Sequence, residues 1–523
     1  SYNEAFDFQS NLAEAWLGFG NVFKSLRRYI EAIDSYDKAI YQNSYLPDPW
    51  LGRGALLIDL RRYEEALLAF DRALTIDPDF PGAEGARLHT KLHLCDWLNY
   101  DNDRAQLISA IRAGKPNSLP FDFLGIADSP ADQLKCATLA IARRFPPAAT
   151  PVWRGEHYKH DKIRVGYFSA DFRQHVVSSL LAGVFECHDR SRFEVTAFSF
   201  GPSDNSDLRR RLKAAFDRFV DVQRDSESQI TQRIRSLEID ILVDLMGITA
   251  DSRPGILAQR PAPIQVSFLG YLGTMGAPYI NYIIGDRIVI PEEQKAFYKE
   301  EVIYLPHCFQ PTDRARSVAN KKFSRAEAGL PSEGFVFCNF NTNYKITPVV
   351  FDRWMRILQR VDGSVLWLVV ENKIAQQNLI REAAARGVDP DRLIFAPKLP
   401  LHEHQARVRA ADLFLDSWPY NAGATASDTL WVGVPLLTLL GETFVGRMAA
   451  SVLQAIGLPE LVTTTADEYE ALAVDLATNT GRLDAIKEKL GRNRLTEPLF
   501  DTKRYTKDIE AAYVEMDKVF LNK

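Results

Sequence analysis

The sequence has little cysteine and no concentration of charge of one sign. Its five cysteines, Cys95, Cys136, Cys187, Cys308 and Cys338, are spread over 523 residues without a CxxC pair. That excludes a disulfide framework or a zinc ribbon as the organising device, and a reducing, cytoplasmic setting is expected. No apolar run approaches the ~20 residues that span a bilayer, and no signal peptide is visible at the start. Basic and acidic residues nearly balance, 63 against 68, for a net charge of −5. Bulk charge therefore gives no reason to expect nucleic acid or a membrane surface, and an acidic small ligand would need local basic groups. No GxxxxGK[ST] loop occurs, which takes support from an ATPase or GTPase. Metal ligation is not expected either. His402-Glu403-His404 falls on a predicted helix, where alternate positions do not share a face. Asp77-Pro78-Asp79 and Asp389-Pro390-Asp391 fall in a turn and a loop, and neither suits a divalent ion beside a diphosphate.

What is present is an ordinary globular balance, 46% hydrophobic and 25% charged, in a chain long enough for about three or four domains. Its front is repetitive. Trp16-Leu17-Gly18 returns as Trp50-Leu51-Gly52, Leu26-Arg27-Arg28-Tyr29 as Leu60-Arg61-Arg62-Tyr63, Ala32 as Ala66 and Pro47 as Pro81. The offset of 34 residues with this skeleton is the tetratricopeptide pattern, in which each helical hairpin buries its apolar face against its neighbours. Trp16 and Trp50 are expected to be core residues, and the stacked repeats to offer a concave surface for extended peptides. The chain starts at Ser1, inside a helical pattern, so a longer array is expected in the full protein. Residues 83–160 read as a helical connector ending in a proline-rich linker from 144.

Beyond the linker, short buried runs alternate with helical stretches: Ile163–Phe168, Phe193–Phe198, Ile239–Leu245 and Ile264–Phe268, then Phe335–Phe340, Val365–Val370, Leu393–Phe395, Leu413–Asp416 and Pro435–Thr438. That pattern predicts two Rossmann-like α/β lobes with parallel sheets, over 161–325 and 326–523, behind repeats over 1–82. Open sheets of this kind bind ligands at the carboxyl ends of their strands.

Candidate chemistry sits at those ends. The stretch Asn339 to Pro348, with Thr342 and Lys345, runs from a strand to a helix. There Lys345 is either a phosphate ligand at a helix N-terminus or a solvated lysine. Asn421 to Asp428 is a small-residue loop leading to a helix predicted over 429–433. It lets a phosphate approach backbone amides, with Asp428 suited to ribose hydroxyls; the alternative is a helix capped by Ser427 or Asp428. Gly441 to Arg447 is a further small-residue turn. His175, after the first strand, is either a general acid/base or a structural loop histidine.

These pieces together resemble the O-GlcNAc transferase and SPINDLY family, glycosyltransferase family 41, of bacterial type. The matching motifs are Arg164-Val165-Gly166-Tyr167, Ser169-Ala170-Asp171-Phe172, Arg260 to Gln265, Leu269-Gly270-Tyr271, Gly273-Thr274, Tyr304-Leu305-Pro306, Asn339-Phe340-Asn341, Tyr344-Lys345-Ile346, Val365 to Leu368, Glu403-His404, Asp428 with Leu430-Trp431, and Gly441-Glu442-Thr443. Cys95-Asp96-Trp97 and Tyr100-Asp101 resemble that family's connecting helix. The resemblance implies a GT-B arrangement with the donor held by the C-terminal lobe and a closing helix near 503–520. It also implies an inverting reaction, needing no metal or other cofactor, from UDP-GlcNAc to Ser or Thr of protein acceptors bound by the repeats, with a homodimer through the repeats as an option. Carried over, Lys345 grips the diphosphate, His404 and Arg407 flank the uracil, and Asp428 takes the ribose. Gly423, Ala424, Thr425 and Thr342 complete the donor site. His175 lies at the reacting centre, and Asp244 and Thr249 line the acceptor or sugar side. The hydroxyl proton is taken by His175, by a chain of waters or by the phosphate. Relatives often carry His-Thr-Thr where this chain has Gly423-Ala424-Thr425, a departure that bears on the donor. UDP-glucose transfer to Asn, GDP-fucose transfer, and a peptide-binding scaffold with a decayed catalytic half are the alternatives.

Overall fold

The structure, a computed structural model, describes residues 12–316 and 318–522. Two antiparallel helix pairs open it: α1 (Ala13–Ser25) with α2 (Tyr29–Gln42), and α3 (Pro47–Asp59) with α4 (Tyr63–Ile76). The repeat register has a steric reason. A Cβ on Gly20 or Gly52 would lie 2.6 or 2.8 Å from the Tyr36 ring, and one on Gly54 would lie 2.5 Å from Phe70. Only glycine lets those rings enter. Tyr36 and Phe70 are fully buried, whereas Trp16 and Trp50 are half-buried. The tryptophans are therefore not the core residues expected; that place goes to the rings one helix further along.

Helix α5 (Ala83–His93) packs on α4, and the helices Tyr100–Arg112, Pro120–Leu124 and Pro130–Arg144 complete the connector. The proline-rich stretch then lies along the next unit, with Ala148, Val152 and Trp153 amides donating to the carbonyls of Ala258, Gln259 and Arg260.

Two all-parallel sheets follow. The first has seven strands, β1 (Ile163–Ser169), β2 (Phe193–Ser199), β3 (Arg218–Asp221), β4 (Ile241–Asp244), β5 (Ile264–Ser267), β6 (Tyr282–Gly285) and β7 (Glu301–Tyr304), in the order β3-β2-β1-β4-β5-β6-β7. The second has β8 (Val336–Asn339), β9 (Val365–Leu368), β10 (Leu393–Phe395), β11 (Leu413–Leu415), β12 (Leu436–Leu439) and β13 (Val462–Thr463), in the order β10-β9-β8-β11-β12-β13. Strands β3, β6, β7 and β13 were not expected; β3, β7 and β13 lie at sheet edges, where a strand is not covered on both sides and need not be a continuous apolar run. The strand order reverses direction between β1 and β4 and between β8 and β11. In a doubly wound sheet that reversal opens a crevice at the carboxyl ends of the two strands.

The helices that matter for the site are α6 (Val176–Cys187), α7 (Pro348–Arg360), α8 (Leu401–Val408), α9 (Ala424–Trp431), α10 (Phe444–Ala455) and α11 (Thr502–Leu521). Pro348 occupies the first turn of α7 and the Thr347 hydroxyl accepts from the Val350 amide, a well-formed start. Helix α11 returns to the first lobe: Tyr513 meets the Tyr167 hydroxyl at 3.0 Å, and Glu510 binds His188 at 3.0 Å. The buried Asp286 carboxylate, after β6, accepts from Ser451 of α10 at 2.5 Å and from the Phe309 amide at 2.6 Å, tying the lobes together. All five cysteines are free thiols, and no helix among the described residues is long and apolar enough to cross a membrane.

Candidate active site

The residues singled out by sequence fall at the two strand-order reversals. Lys345 follows β8 and the 416–423 loop follows β11, while His175 follows β1 and Asp244 ends β4. Side-chain amides join the two loops of the second lobe: Asn339 donates to the Leu415 carbonyl at 2.7 Å, and Asn341 donates to the Ser417 hydroxyl at 2.9 Å. Lys345 closes a 3-10 turn, Asn343–Lys345, and its ammonium donates to the Asn421 carbonyl at 2.9 Å while lying 3.9 Å from the centre of the Tyr420 ring. Burial pushes its pKa down to about 8, opposed by the nearby Asp416 carboxylate. Asp416 is buried too, and burial pushes it up to about 6 against hydrogen bonds from Thr438, Ala422 and Ser417 and the charge of Lys345.

From Asn421 the chain runs directly into α9. That helix starts at Ala424 rather than at residue 429, and its cap is Gly423 rather than Ser427 or Asp428. The physical reason is that both expected caps are engaged inside the helix. The Ser427 hydroxyl donates to the Ala424 carbonyl and accepts from Gln310, and the Asp428 carboxylate binds Arg316 and Gln405. No side chain caps Gly423, and among the described residues no acceptor takes the Ala424 and Thr425 amides. Two free helix N-terminal donors therefore follow, three and four residues on, the Asn421 carbonyl that holds a desolvated ammonium, and free amides and a cation both favour a phosphate.

Gly423 itself is explained by Gln310, a buried side chain arriving after β7. A Cβ on Gly423 would lie 3.2 Å from Gln310 Oε1 and 3.5 Å from the Met448 sulfur. Gln310 amide nitrogen donates to the Ser427 hydroxyl at 3.1 Å and the Gly423 carbonyl at 3.5 Å. Gly423→His is expected to lose about 1–3 kcal/mol of stability through overpacking, and Gln310→Ala in the same chain should recover part of it. Denaturant midpoints of the two variants check this.

Further along α9, both hydrogen bonds to Asp428, from Arg316 and from Gln405 at 3.0 Å, fall on Oδ1. Burial raises the Asp428 pKa, opposed by Arg316. On α8, Arg407 donates from Nε to His404 Nδ1 at 3.2 Å. Its Nη2 is buried without a partner, and the His404 ring stands edge-on to Phe340 at 5.0 Å. Burial pushes His404 down to about 4, so it is neutral at pH 7 and, with Nδ1 accepting from Arg407, presents an Nε2–H donor. Thr342 is exposed, and its carbonyl accepts from the Lys345 amide at 3.0 Å.

In the first lobe, His175 caps α6: Nδ1 lies 3.4 Å from the Val177 amide and 3.3 Å from Asp171 Oδ2, and Nε2 makes no hydrogen bond. Burial lowers the His175 pKa and raises that of Asp171, while the pairing of the two opposes both shifts. Asp171 was not singled out as a functional group by sequence. Its position four residues before His175, within one strand-to-helix turn, was the available signal. Asp244 is differently placed. Its carboxylate is buried and accepts from the Met246 amide at 3.0 Å and the Gly247 amide at 2.9 Å, with burial raising its pKa to about 6. Thr249 donates to the Met246 carbonyl at 2.9 Å. Both brace the turn after β4, where Gly247 is at φ +60° against Tyr271. The structure thus gathers Lys345 with Tyr420 and Asn421, His404 with Arg407, and His175 with Asp171. A groove of about 980 Å³ between the end of α6 and α11 contains none of them.

Comparison with known proteins matches this layout. The model of glycosyl transferase family 41 matches residues 149–322 and 322–509, and tetratricopeptide repeat models match 13–44 and 47–80. The probable UDP-N-acetylglucosamine–peptide N-acetylglucosaminyltransferase SEC of Arabidopsis thaliana is 36% identical over 452 residues, 82% of this chain and 46% of that protein. The UDP-N-acetylglucosamine–peptide N-acetylglucosaminyltransferase of Caenorhabditis elegans is 27% identical over 551 residues, 81% of this chain and 48% of that protein. The chain thus spans about half the length of these relatives. The O-GlcNAc transferase of Thermobaculum terrenum, solved as a point mutant, superimposes with a TM-score of 0.79 at 26% identity, covering 97% of this chain and 98% of that one. A family match over both sheets and the site loops, continuous with the repeats, leads to one assignment: the chain belongs to glycosyl transferase family 41.

Proposed function

We propose that this chain transfers N-acetylglucosamine from UDP-GlcNAc to Ser or Thr hydroxyls of protein acceptors, with inversion and without a metal. The sugar is the one named for these relatives, and a peptide acceptor is named for two of them. The observation that carries the reading is the buried Lys345 ammonium on the Asn421 carbonyl, in the loop that leads two residues later to the uncapped start of α9 with its unpaired Ala424 and Thr425 amides.

In such a reaction the acceptor oxygen attacks the anomeric carbon, the bond from that carbon to the diphosphate oxygen breaks, and negative charge accumulates on the departing diphosphate. A fixed cation and helix N-terminal dipoles in a partly dry crevice stabilise that charge more in the transition state than in the ground state. The free Nε2–H of His404 and the unpartnered Nη2 of Arg407 are donors suited to the carbonyl edges of a uracil. Asp428 Oδ2 is free to accept from ribose hydroxyls. His175 takes the hydroxyl proton on Nε2 in the tautomer whose Nδ1–H faces Asp171, a state in which Nδ1 no longer accepts from the Val177 amide. Asp244 and Thr249 shape the acceptor side by holding the turn after β4.

Calorimetric titration with UDP-GlcNAc, UDP-glucose and GDP-fucose, with EDTA present, tests the donor. Tight binding of UDP-GlcNAc over the other two is the expected result. Preference for GDP-fucose or UDP-glucose would replace the sugar in this reading, and no binding of any would favour a peptide-binding scaffold.

A further inference from the structure

The connector between repeats and lobes reaches into the donor site. His89 and His93 lie one turn apart on α5, both buried, with their rings nearly perpendicular at 4.8 Å. Each also meets the ring of Tyr344, the residue before Lys345, at 4.7 and 5.0 Å. On its other side His93 stacks on Tyr63, the first residue of α4 in the second repeat, at 4.5 Å and 11°. Tyr344 in turn stands edge-on to Tyr420 at 5.9 Å, and Tyr420 is the ring under the Lys345 ammonium. Two hydrogen bonds hold the junction: the Asn343 side chain donates to the His93 carbonyl, and Asn378 donates to the Leu94 carbonyl at 2.8 Å. An unbroken line of ring contacts therefore runs from the second repeat to the lysine.

Neither histidine uses its Nδ1 for a hydrogen bond, although both atoms are buried. Burial holds both rings far on the neutral side, His89 at about 4. What they offer this site is thus shape and π-surface, not charge. A neutral imidazole offers a flat ring that can stack on Tyr63 with one face and meet Tyr344 with the rest.

We propose that His93, stacked on Tyr63 and aided by His89, is a positioning residue for Lys345. It fixes Tyr344, Tyr344 fixes Tyr420, and Tyr420 sets where the ammonium stands. The second repeat is then part of the diphosphate site and not only a peptide surface. This rests on the proposed role of Lys345 toward a nucleoside diphosphate.

The test uses His93→Ala and His93→Phe in the full chain, with Tyr63→Ala as a second variant should His93→Ala fail to fold. Two quantities are read: UDP affinity by calorimetry, and the titration of Lys345 by competitive acetic anhydride labelling across the alkaline range. His93→Ala should weaken UDP at least tenfold and move the lysine pKa up from about 8 as water reaches the ammonium. His93→Phe, which keeps a flat ring, should restore both. Melting temperature reports any purely structural effect. Loss of melting temperature with unchanged UDP affinity and lysine titration would overturn the proposal, as would failure of His93→Phe to restore them. If the native chain binds no UDP, the transferase reading fails while the lysine titration still decides the ring relay.

Discussion

Lys345→Met is expected to abolish transfer while leaving the protein at least as stable as the native chain. Removing one preorganised donor from developing negative charge costs about 10²–10³ in rate, and here the donor carries a full charge. UDP affinity should fall at least tenfold, about 1.4 kcal/mol. Stability should move the other way. The folded pKa of Lys345 is lowered by burial, so the folded state binds fewer protons than the unfolded state between that value and the ordinary lysine value, and stability rises with pH through that window. Below it the buried ammonium opposes folding, and a methionine of similar length removes that cost. The same sign governs binding. The diphosphate pairs with the protonated amine, so UDP affinity should be flat below about pH 8 and fall about tenfold per unit above it, whereas Lys345→Arg should remain flat. Calorimetry at several pH values, with melting curves alongside, checks both. An unstable variant, or UDP affinity flat through pH 9 in the native chain, would separate Lys345 from the diphosphate.

His175→Asn should lower kcat by about 10²–10⁴, the usual contribution of a positioned acid/base, with donor affinity unchanged. Asparagine is the informative substitution because His175 is also the cap of α6. His175→Ala would remove that cap and about 0.5–2 kcal/mol of stability with it. An asparagine oxygen can still accept from the Val177 amide. Asp171→Asn should lower kcat as well, since the imidazole then loses the carboxylate that draws its proton to Nδ1 in place of the bond from the Val177 amide. Burial lowers the His175 pKa, so the acidic limb of kcat/KM should lie below 6.5 in the native chain and vanish in His175→Asn. Steady-state rates across pH with matched melting curves measure this. An unaltered kcat in His175→Asn would assign the proton to water or to the phosphate.

Much of this site could be read before any fold was known, because strand ends followed by proline, glycine or small residues have local signatures. Thr347-Pro348 marks the start of α7, and the alternation of buried runs with helices marks two sheets. What local patterning does not contain is strand order. That His175 and Lys345 each sit at a reversal depends on β4 inserting beside β1 and β11 beside β8, pairings between segments tens of residues apart. The start of α9 was missed for a related reason. Ser427 and Asp428 look like caps by type, but Gln310, Gln405 and Arg316 engage them from elsewhere in the chain. Asp244 shows a contact that local patterning does not contain: its two oxygens accept from the Met246 and Gly247 amides of the turn that follows. The half-buried tryptophans and the His93–Tyr344 contact likewise follow from how the repeats meet the lobes, which no repeat pattern encodes.

The most direct measurement is intact mass of a Ser/Thr-containing acceptor peptide after incubation with this chain, UDP-GlcNAc and EDTA, with Lys345→Met in parallel. The proposed mechanism predicts a gain of one N-acetylhexosamine on a hydroxyl residue with the native chain and none with the variant. No gain across a peptide library, or an equal gain with Lys345→Met, would contradict it.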